Sequence, residues 1–191
     1  MRISFPHSLS IGTDIIRLSR LFKSPHTFRK LVLRILQPVE QQVFFERFGT
    51  LSIENAPEHS ITERKRHEWL GGRWAAKEAA KKAWGASLLS FKDLRIETAP
   101  DGDIVVVCAL LGGGQPSQEF AEQVAKVSIS HDGEYAMATV LASPLHKSII
   151  AELRRRKSEA EKSVTPQLPG NDKAAIDTQL DLSLSHQTLR Q

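Results

Sequence analysis

The sequence predicts an α+β protein, and this assignment depends on two strand pairs, one long helix and a change of composition near residue 143. Strand-like runs on either side of two Asp-Gly dipeptides predict two β-hairpins. A segment rich in Ala, Lys, Arg and Glu, all strong helix formers, predicts a helix over residues 63–84. No aromatic residue follows Tyr135, so we predict one domain over residues 1–143 and a helical or disordered tail over residues 144–191.

The first elements are predicted to be a strand and two helices. The pattern of residues 9–16 predicts a strand that ends at an acidic position, Asp14. Ser24 followed by Pro25 is typical of a helix start, and Pro38 is expected to begin a second helix. The apolar face of this second helix is predicted to comprise Val39, Val43, Phe44 and Phe48.

The long helix and the two hairpins follow. Thr62 is expected to cap the helix and Gly85 to end it. Its apolar stripe is predicted to contain Trp69, Ala76, Ala80 and Ala83. Asp101-Gly102 and Asp132-Gly133 are predicted as type I′ turns, because both central residues of that turn need positive φ. The paired strands are predicted over residues 94–98 with 104–110, and over residues 127–131 with 134–141, and a short helix over residues 117–125 is expected between the hairpins.

Composition narrows the class of protein. Hydrophobic residues make up 40% of the chain, which is enough for one ordinary core. No apolar run approaches the roughly 20 residues of a membrane helix, so we expect a soluble protein. The net charge of +4 suits an anionic partner, which is a nucleic acid, a phosphate-rich cofactor or an acidic protein. The single cysteine, Cys108, excludes a disulfide framework and is interpreted as a buried strand residue.

Two carboxylates are candidates for a metal site. Glu78 and Lys82 are four residues apart on one helix face, where they form either a surface ion pair or part of a phosphate-binding site. Asp14 is either a solvated turn residue or the second carboxylate of a magnesium site. Magnesium commonly takes one or two protein carboxylates, keeps some of its waters and binds substrate phosphate oxygens.

Basic residues surround these carboxylates in the sequence. The helix of Glu78 also carries Arg73, Lys77, Lys81 and Lys82. Arg64, Lys65 and Arg66 form either a solvated basic face or a grip for a terminal phosphate. His131 precedes a tight turn and is either a surface residue or one that contacts phosphate or carries a proton. Because the glycines of residues 112–114 lack a following Lys-Ser/Thr, phosphate chemistry here must depend on metal and basic side chains.

Three motifs stand in a fixed order: Ile11–Ile15 (IGTDI), Gly72–Gly85 (GRWAAKEAAKKAWG) and Ser128–His131 (SISH). In order and spacing they resemble the holo-[acyl-carrier-protein] synthase family of 4′-phosphopantetheinyl transferases, over about residues 9–142. The resemblance implies the small fold of that family, an antiparallel sheet packed on a long helix. It also implies an enzyme of lipid metabolism that transfers the phosphopantetheine arm of coenzyme A to a serine of an acyl carrier protein and releases 3′,5′-ADP.

The resemblance implies a role for each candidate residue. Asp14 and Glu78 match carboxylates that bind Mg2+, and Arg20 matches a basic position facing the acidic carrier protein. The residues matched to coenzyme A binding are Arg64, Lys65, Arg73, Lys77, Lys82 and His131. The expected catalytic residues are Glu78, Lys82 and His131, with Lys82 near the pyrophosphate. The serine proton would pass to a water held by Glu78 or the metal, or to His131. The resemblance further implies a homotrimer with active sites between subunits.

Some segments depart from the pattern of the family. Trp74 stands where the family usually has Phe, and the loop over residues 49–60 looks longer than in compact members. The tail has no counterpart in minimal members. A helix is predicted within residues 143–162 with Ile149 and Leu153 on its apolar edge, and residues 164–191 are predicted to be mostly disordered. Its cluster Arg154–Lys157 is interpreted as a solvated run, the alternative being contact with an acidic carrier. The long loop and tail resemble a fungal, mitochondrial member, so a mitochondrial matrix location is expected, and otherwise a cytoplasmic one.

Two other functions are consistent with parts of the sequence. The main alternative is a non-catalytic nucleic-acid-binding protein that uses residues 64–66 and 77–82 as a phosphate-contacting face. That alternative leaves Asp14 and Glu78 unexplained, because carboxylates repel a phosphate backbone. The second is a catalytically silent relative that binds only carrier protein or coenzyme A. The enzyme is the preferred interpretation, and no nucleic-acid or membrane partner is expected.

Overall fold

The computed structural model describes residues 7–21, 24–49, 61–85, 87–110 and 122–164. The strands are β1 (Ser10–Arg17), β2 (Leu94–Thr98), β3 (Ile104–Cys108), β4 (Gln123–Asp132) and β5 (Tyr135–Ala142). They form one antiparallel sheet in the order β1-β5-β4-β3-β2. The helices are α1 (Leu18–Leu21), α2 (Pro25–Ile35), α3 (Pro38–Phe48), α4 (Ile61–Ala83) and α5 (Lys147–Val164). The predicted α+β class, with a sheet packed on a long helix, is confirmed.

The helix ends follow the capping signals of the sequence closely. The Ser24 hydroxyl oxygen accepts a hydrogen bond from the backbone N–H of Thr27 at 3.2 Å, so Ser24 caps α2 as predicted. Gly85, with φ of 68°, follows the end of α4, and its N–H donates to the Lys82 carbonyl. Thr62 lies inside the first turn of α4, because the helix begins at Ile61 and not at the predicted residue 63.

One face of the sheet packs against α4 and forms the main core. Five alanines of α4 are buried there: Ala75, Ala76, Ala79, Ala80 and Ala83. Their short side chains let the helix lie close to β1, β5 and β4, so the predicted stripe of Ala76, Ala80 and Ala83 is confirmed. Trp69, predicted in the same stripe, packs instead on a second apolar cluster beside Phe44.

This second cluster lies between α2, α3 and α4. Its buried residues are Phe28, Val32, Ile35, Leu36, Phe44 and Leu70. The predicted apolar face of α3 was wrong at two positions, since Val39 and Val43 are 63% and 43% exposed. Glu40 is buried in their place, because it pairs with a lysine of α4. A carboxylate with that partner can occupy an interior position that apolar patterning assigns to a valine.

Both hairpins are present, but neither turn has the predicted central pair. Thr98 pairs with Ile104, so residues 99–103 connect β2 to β3 and form a loop longer than two residues. Asp132 pairs with Tyr135, so the two central residues of the second turn are Gly133 and Glu134. Gly133 has φ of 53°, which a glycine adopts without strain.

Two predicted segments have different outcomes. The helix predicted over residues 117–125 was wrong at its end, because Gln123–Ala125 belong to β4, and residues 117–121 lie outside the described residues. The helix predicted within residues 143–162 is confirmed as α5, and its apolar edge is deeper than expected, since Ile149 and Leu153 join the main core. The predicted loop over residues 50–60 and the predicted disorder over residues 165–191 also lie outside the described residues.

Among the described residues, no helix combines the length and the apolar character that crossing a membrane requires.

Candidate active site

The first feature of the site is the crossing of β1 over α4. Gly12 faces the helix, and a Cβ atom built on it would lie 2.0 Å from the Ala79 carbonyl oxygen and 2.5 Å from the Ala83 nitrogen. Only glycine therefore fits at this point. Alternate β1 residues share a face, so Asp14 also points toward α4, two residues along the strand.

The Asp14 carboxylate meets Lys82 at this crossing. Lys82 Nζ donates to Asp14 Oδ1 at 2.8 Å and to the Thr13 carbonyl oxygen at 2.8 Å. Asp14 lies inside β1, paired with Ala138, so the prediction that the strand ends at this residue was wrong. The suggested helix-face pair of Lys82 with Glu78 is replaced by this contact, because the close approach of β1 brings a carboxylate within reach of the lysine.

Glu78 lies one helical turn before Lys82 and is held by a different lysine. Lys81 Nζ donates to Glu78 Oε1 at 3.1 Å. Gly12 lies against Ala79, the residue after Glu78, and Asp14 contacts Lys82, one helical turn after Glu78, so the two carboxylates lie on neighbouring segments of β1 and α4. No group of three or more His, Cys, Asp or Glu side chains that could hold a metal ion occurs among the described residues.

The second feature is a basic cleft between the first half of α4 and the end of β4. One part, of about 330 Å³, is lined by Arg64, Lys65, Glu68 and His131 among others. The adjoining part, of about 390 Å³, is lined by Lys65, Glu68, Arg73 and His131 together with Phe48, Trp69 and Ile129. The structure thus brings together four of the residues predicted to bind coenzyme A, namely Arg64, Lys65, Arg73 and His131.

Arg73 has the most unusual surroundings in the cleft. Its guanidinium carbon lies 3.2 Å from the centroid of the Trp69 ring. Its Nε is buried and has no hydrogen-bond partner in the described part of the chain. Burial lowers the pKa of Arg73 to about 10. A guanidinium that is held against an aromatic face in the cleft can attract an anion at a small cost in side-chain entropy.

Lys77, predicted with the coenzyme A-binding residues, lies elsewhere. Its side chain is fully buried, and Nζ donates to the Glu40 carboxylate and to the Ile35 carbonyl oxygen at 2.7 Å. Burial lowers the pKa of Lys77 to about 8, against the opposing effect of Glu40. This part of the prediction is corrected, because Lys77 lies on the opposite side of α4 from the crossing, where it ties α3 to the helix.

Residues that the sequence did not single out also belong to the site. Glu68 lines both parts of the cleft and accepts a hydrogen bond from Arg64 Nε at 2.7 Å. The four-residue spacing of Arg64 and Glu68 was the available signal. Arg20, predicted to face the carrier protein, is exposed in α1, apart from the cleft-lining residues.

The N-terminal part of the cleft is distant from the crossing along the helix, whereas Arg73 of the cleft lies only five residues before Glu78. Lys65 and Glu78 are thirteen residues apart in α4, which corresponds to roughly 20 Å along the helix axis. His131 lies on β4 and Asp14 on β1, with β5 between them. The predicted catalytic set of Glu78, Lys82 and His131 is therefore divided within one chain between the crossing and the cleft.

Comparison with known proteins gives a consistent assignment. The model of the 4′-phosphopantetheinyl transferase superfamily (ACPS) matches residues 10–140. The chain is 40% identical over 158 residues to the mitochondrial 4′-phosphopantetheinyl transferase B of Aspergillus fumigatus, covering 74% of this chain and 97% of that protein. It is 30% identical over 138 residues to the holo-[acyl-carrier-protein] synthase of Bacillus subtilis, covering 71% and 95%.

A solved structure shares the fold. The crystal structure of holo-ACP-synthase from Plasmodium yoelii superposes with a TM-score of 0.50 at 24% identity, covering 73% of this chain and 98% of that one. None of these findings supports the non-catalytic nucleic-acid-binding alternative. The matched segment contains β1, α4, β4 and β5 up to residue 140, and thus both the crossing and the cleft. The chain belongs to the 4′-phosphopantetheinyl transferase superfamily and is an enzyme of the holo-[acyl-carrier-protein] synthase kind.

Proposed function

We propose that this enzyme transfers the 4′-phosphopantetheine group of coenzyme A to a serine of an apo acyl carrier protein, with Mg2+, and releases 3′,5′-ADP. The observation that carries the proposal is the β1–α4 crossing, where Asp14 contacts Lys82, one helical turn after Glu78 on α4. The basic cleft on the same helix supplies the cations that a nucleotide with several phosphates needs.

The residues at the crossing suit a magnesium ion. Both carboxylates are partly exposed, at 18% and 25% of their side-chain surface, so a ligand can reach them. Each carboxylate is paired with one lysine, and a divalent cation could compete with that lysine for the carboxylate oxygens. Two protein carboxylates with remaining positions for water and phosphate oxygens are typical of Mg2+. When bound, the ion would neutralise charge that develops on the phosphate oxygens.

The chain's own residues would contribute positioning and charge. The serine oxygen attacks the β-phosphorus of coenzyme A, and the bond from that phosphorus to the bridging oxygen breaks, so the leaving group is 3′,5′-ADP. Lys82, already directed at Asp14, would place its ammonium group near the diphosphate. The serine proton would pass to a water held by Glu78, and His131 is the weaker candidate because it lines the cleft on β4.

The carrier protein would dock on the basic surface of α1 and α2. Arg20 is exposed in α1, and Arg29, Lys30 and Arg34 are exposed in α2, a helix that contains no acidic residue. Leu33 is also exposed on α2 and offers an apolar contact. A surface of this composition suits an acidic carrier, for which charge complementarity raises the association rate.

A homotrimer would explain two further features. The face of the sheet turned away from α4 exposes several apolar residues of β1 and β5: Ile11, Ile15, Tyr135, Met137 and Leu141. Exposed patches of this kind mark association surfaces in soluble proteins. The separation of cleft and crossing along α4 also suits a site that is completed by a neighbouring subunit. A mitochondrial matrix location is proposed by analogy with the Aspergillus fumigatus relative.

One experiment tests the proposed reaction. Purified protein with Mg2+ and coenzyme A should add about 340 Da, the mass of the phosphopantetheine group, to an apo carrier protein, as read by intact-mass spectrometry. A carrier whose acceptor serine is replaced by alanine is the control and should not change in mass. If several apo carriers from the mitochondrion and cytoplasm gain no mass, the proposed reaction is wrong.

A further inference from the structure

Lys81 is a charged residue beside Glu78 for which the reaction described above has no role. Its Nζ lies 3.1 Å from Glu78 Oε1, and the side chains of both residues are 25% exposed. The pair is spaced i,i+3 on one helix, so the backbone keeps the two groups adjacent.

A second contact holds the ammonium group of Lys81 in place. Nζ lies 4.9 Å from the centroid of the Phe91 ring, and that ring packs at 4.7 Å centroid distance on Trp74 of α4. The short turn that carries Phe91 is fixed by Asp93 Oδ2, which accepts hydrogen bonds from the N–H and the hydroxyl of Ser90. Two contacts, with the Glu78 carboxylate and with the face of the Phe91 ring, therefore restrain the ammonium group of Lys81.

We propose that Lys81 makes the binding of the divalent cation and the binding of coenzyme A depend on each other. The inference rests on the proposed function, because it needs both ligands at the crossing. Without the diphosphate, Lys81 stands beside a carboxylate that the cation would share, and like charges at such short range oppose each other. Lys81 thus weakens cation binding to the coenzyme-free protein.

Coenzyme A reverses the sign of this effect. Asp14, Glu78 and a doubly ionised diphosphate carry four negative charges, and a divalent cation with Lys82 balances only three of them. The restrained ammonium group of Lys81 supplies the fourth positive charge. Lys81 therefore opposes one ligand alone and favours the pair of ligands, which is positive coupling between two sites.

The test measures this coupling directly. Mn2+ is titrated into the full-length protein with and without saturating coenzyme A, and free Mn2+ is counted by electron paramagnetic resonance. The coupling factor is the Mn2+ dissociation constant measured without coenzyme A divided by the constant measured with it. We expect Lys81→Met to lower this factor at least about fivefold, with equal or tighter Mn2+ binding in the absence of coenzyme A. Lys81→Arg keeps the charge and should retain the wild-type factor.

Lys157→Met is the matched control, because Lys157 is an exposed lysine on α5 outside the site. A coupling factor in Lys81→Met equal to that of the wild type and the control, with an unchanged melting temperature, would overturn the inference and leave the proposed reaction intact. If coenzyme A does not change the Mn2+ affinity of the wild type, the two ligands do not bind at a common site, and the inference is overturned.

Discussion

Two lysine–carboxylate pairs on α4 have the same chemistry and opposite surroundings. The side chains of Lys77 and Glu40 are 0% and 4% exposed, whereas those of Lys82 and Asp14 are 52% and 18% exposed. Both lysines lie in the same motif and are only five residues apart. Because 3.6 residues make one turn, five residues rotate a side chain to a different face of the helix, so one lysine enters the core and the other reaches the crossing.

The buried pair is inaccessible to a ligand, because both side chains are enclosed by the protein. The Glu40 carboxylate accepts hydrogen bonds from Lys77, from the N–H of Gln37 at 2.8 Å and from the N–H of Ile96 at 3.0 Å, so it joins α3, α4 and β2. The exposed pair has open oxygens and solvent access. The comparison teaches that the basic residues of one motif divide into a buried structural lysine and an accessible lysine that is free to meet a ligand, according to which element packs against each of them.

The largest expected effect tests the buried pair. Lys77→Met leaves the Glu40 carboxylate buried without its cation, so we expect the free energy of unfolding to fall by about 3–5 kcal/mol in urea titrations. Lys82→Met on the same helix is the control and should lose less than about 1 kcal/mol. Equal losses in the two variants would remove the distinction between the pairs.

The second prediction tests the exposed side of the comparison. Asp14→Asn and Glu78→Gln should each lower kcat/KM by roughly 100–1000-fold, equivalent to about 3–4 kcal/mol of transition-state stabilisation. The melting temperature should change by no more than about 2 °C, since both side chains are partly exposed. Unchanged turnover in Glu78→Gln would refute the proposed metal role of this residue.

The third prediction concerns Gly12, where the close approach of β1 to α4 allows Asp14 to contact Lys82. Gly12→Ala would place a Cβ atom 2.0 Å from backbone of α4, so β1 must move away, at a cost of about 1–3 kcal/mol in stability. Gly72→Ala is the matched control, because its Cβ atom would lie 3.1 Å from a side-chain methyl of Ile129 that can adjust. Urea unfolding of both variants makes the comparison, and a loss at Gly72 as large as at Gly12 would contradict it.

The last prediction concerns how the free energy of unfolding changes with pH. Burial disfavours the charged form of Lys77 and lowers its pKa from the usual 10.5 to about 8 in the folded chain. Between these values the unfolded chain binds more protons, so this group makes the free energy of unfolding increase with pH. The stability gap between wild type and Lys77→Met should therefore widen as the pH rises from 8 to 10. A gap that narrows would show that the charge of Glu40 affects the pKa of Lys77 more strongly than burial does.

The sequence predicted local structure best where short-range chemistry decides it. Ser24 and Gly85 marked the start of α2 and the end of α4, and the two Asp-Gly pairs located both hairpins. It failed where a partner from elsewhere in the chain decides burial. Glu40 occupies an interior position, and no pattern within α3 announces that its cation lies 37 residues later.

The candidate site shows the same division. By itself the sequence determined which residue types are present, in which order, and which of them share a strand or helix face, because these depend on the chain's own geometry. Only the tertiary structure decided that Asp14 meets Lys82, that Glu78 is held by Lys81 and that Lys77 is buried. The periodicity of a helix says which side chains point the same way, but not which element they meet, and that depends on how closely β1 and α3 pack against α4.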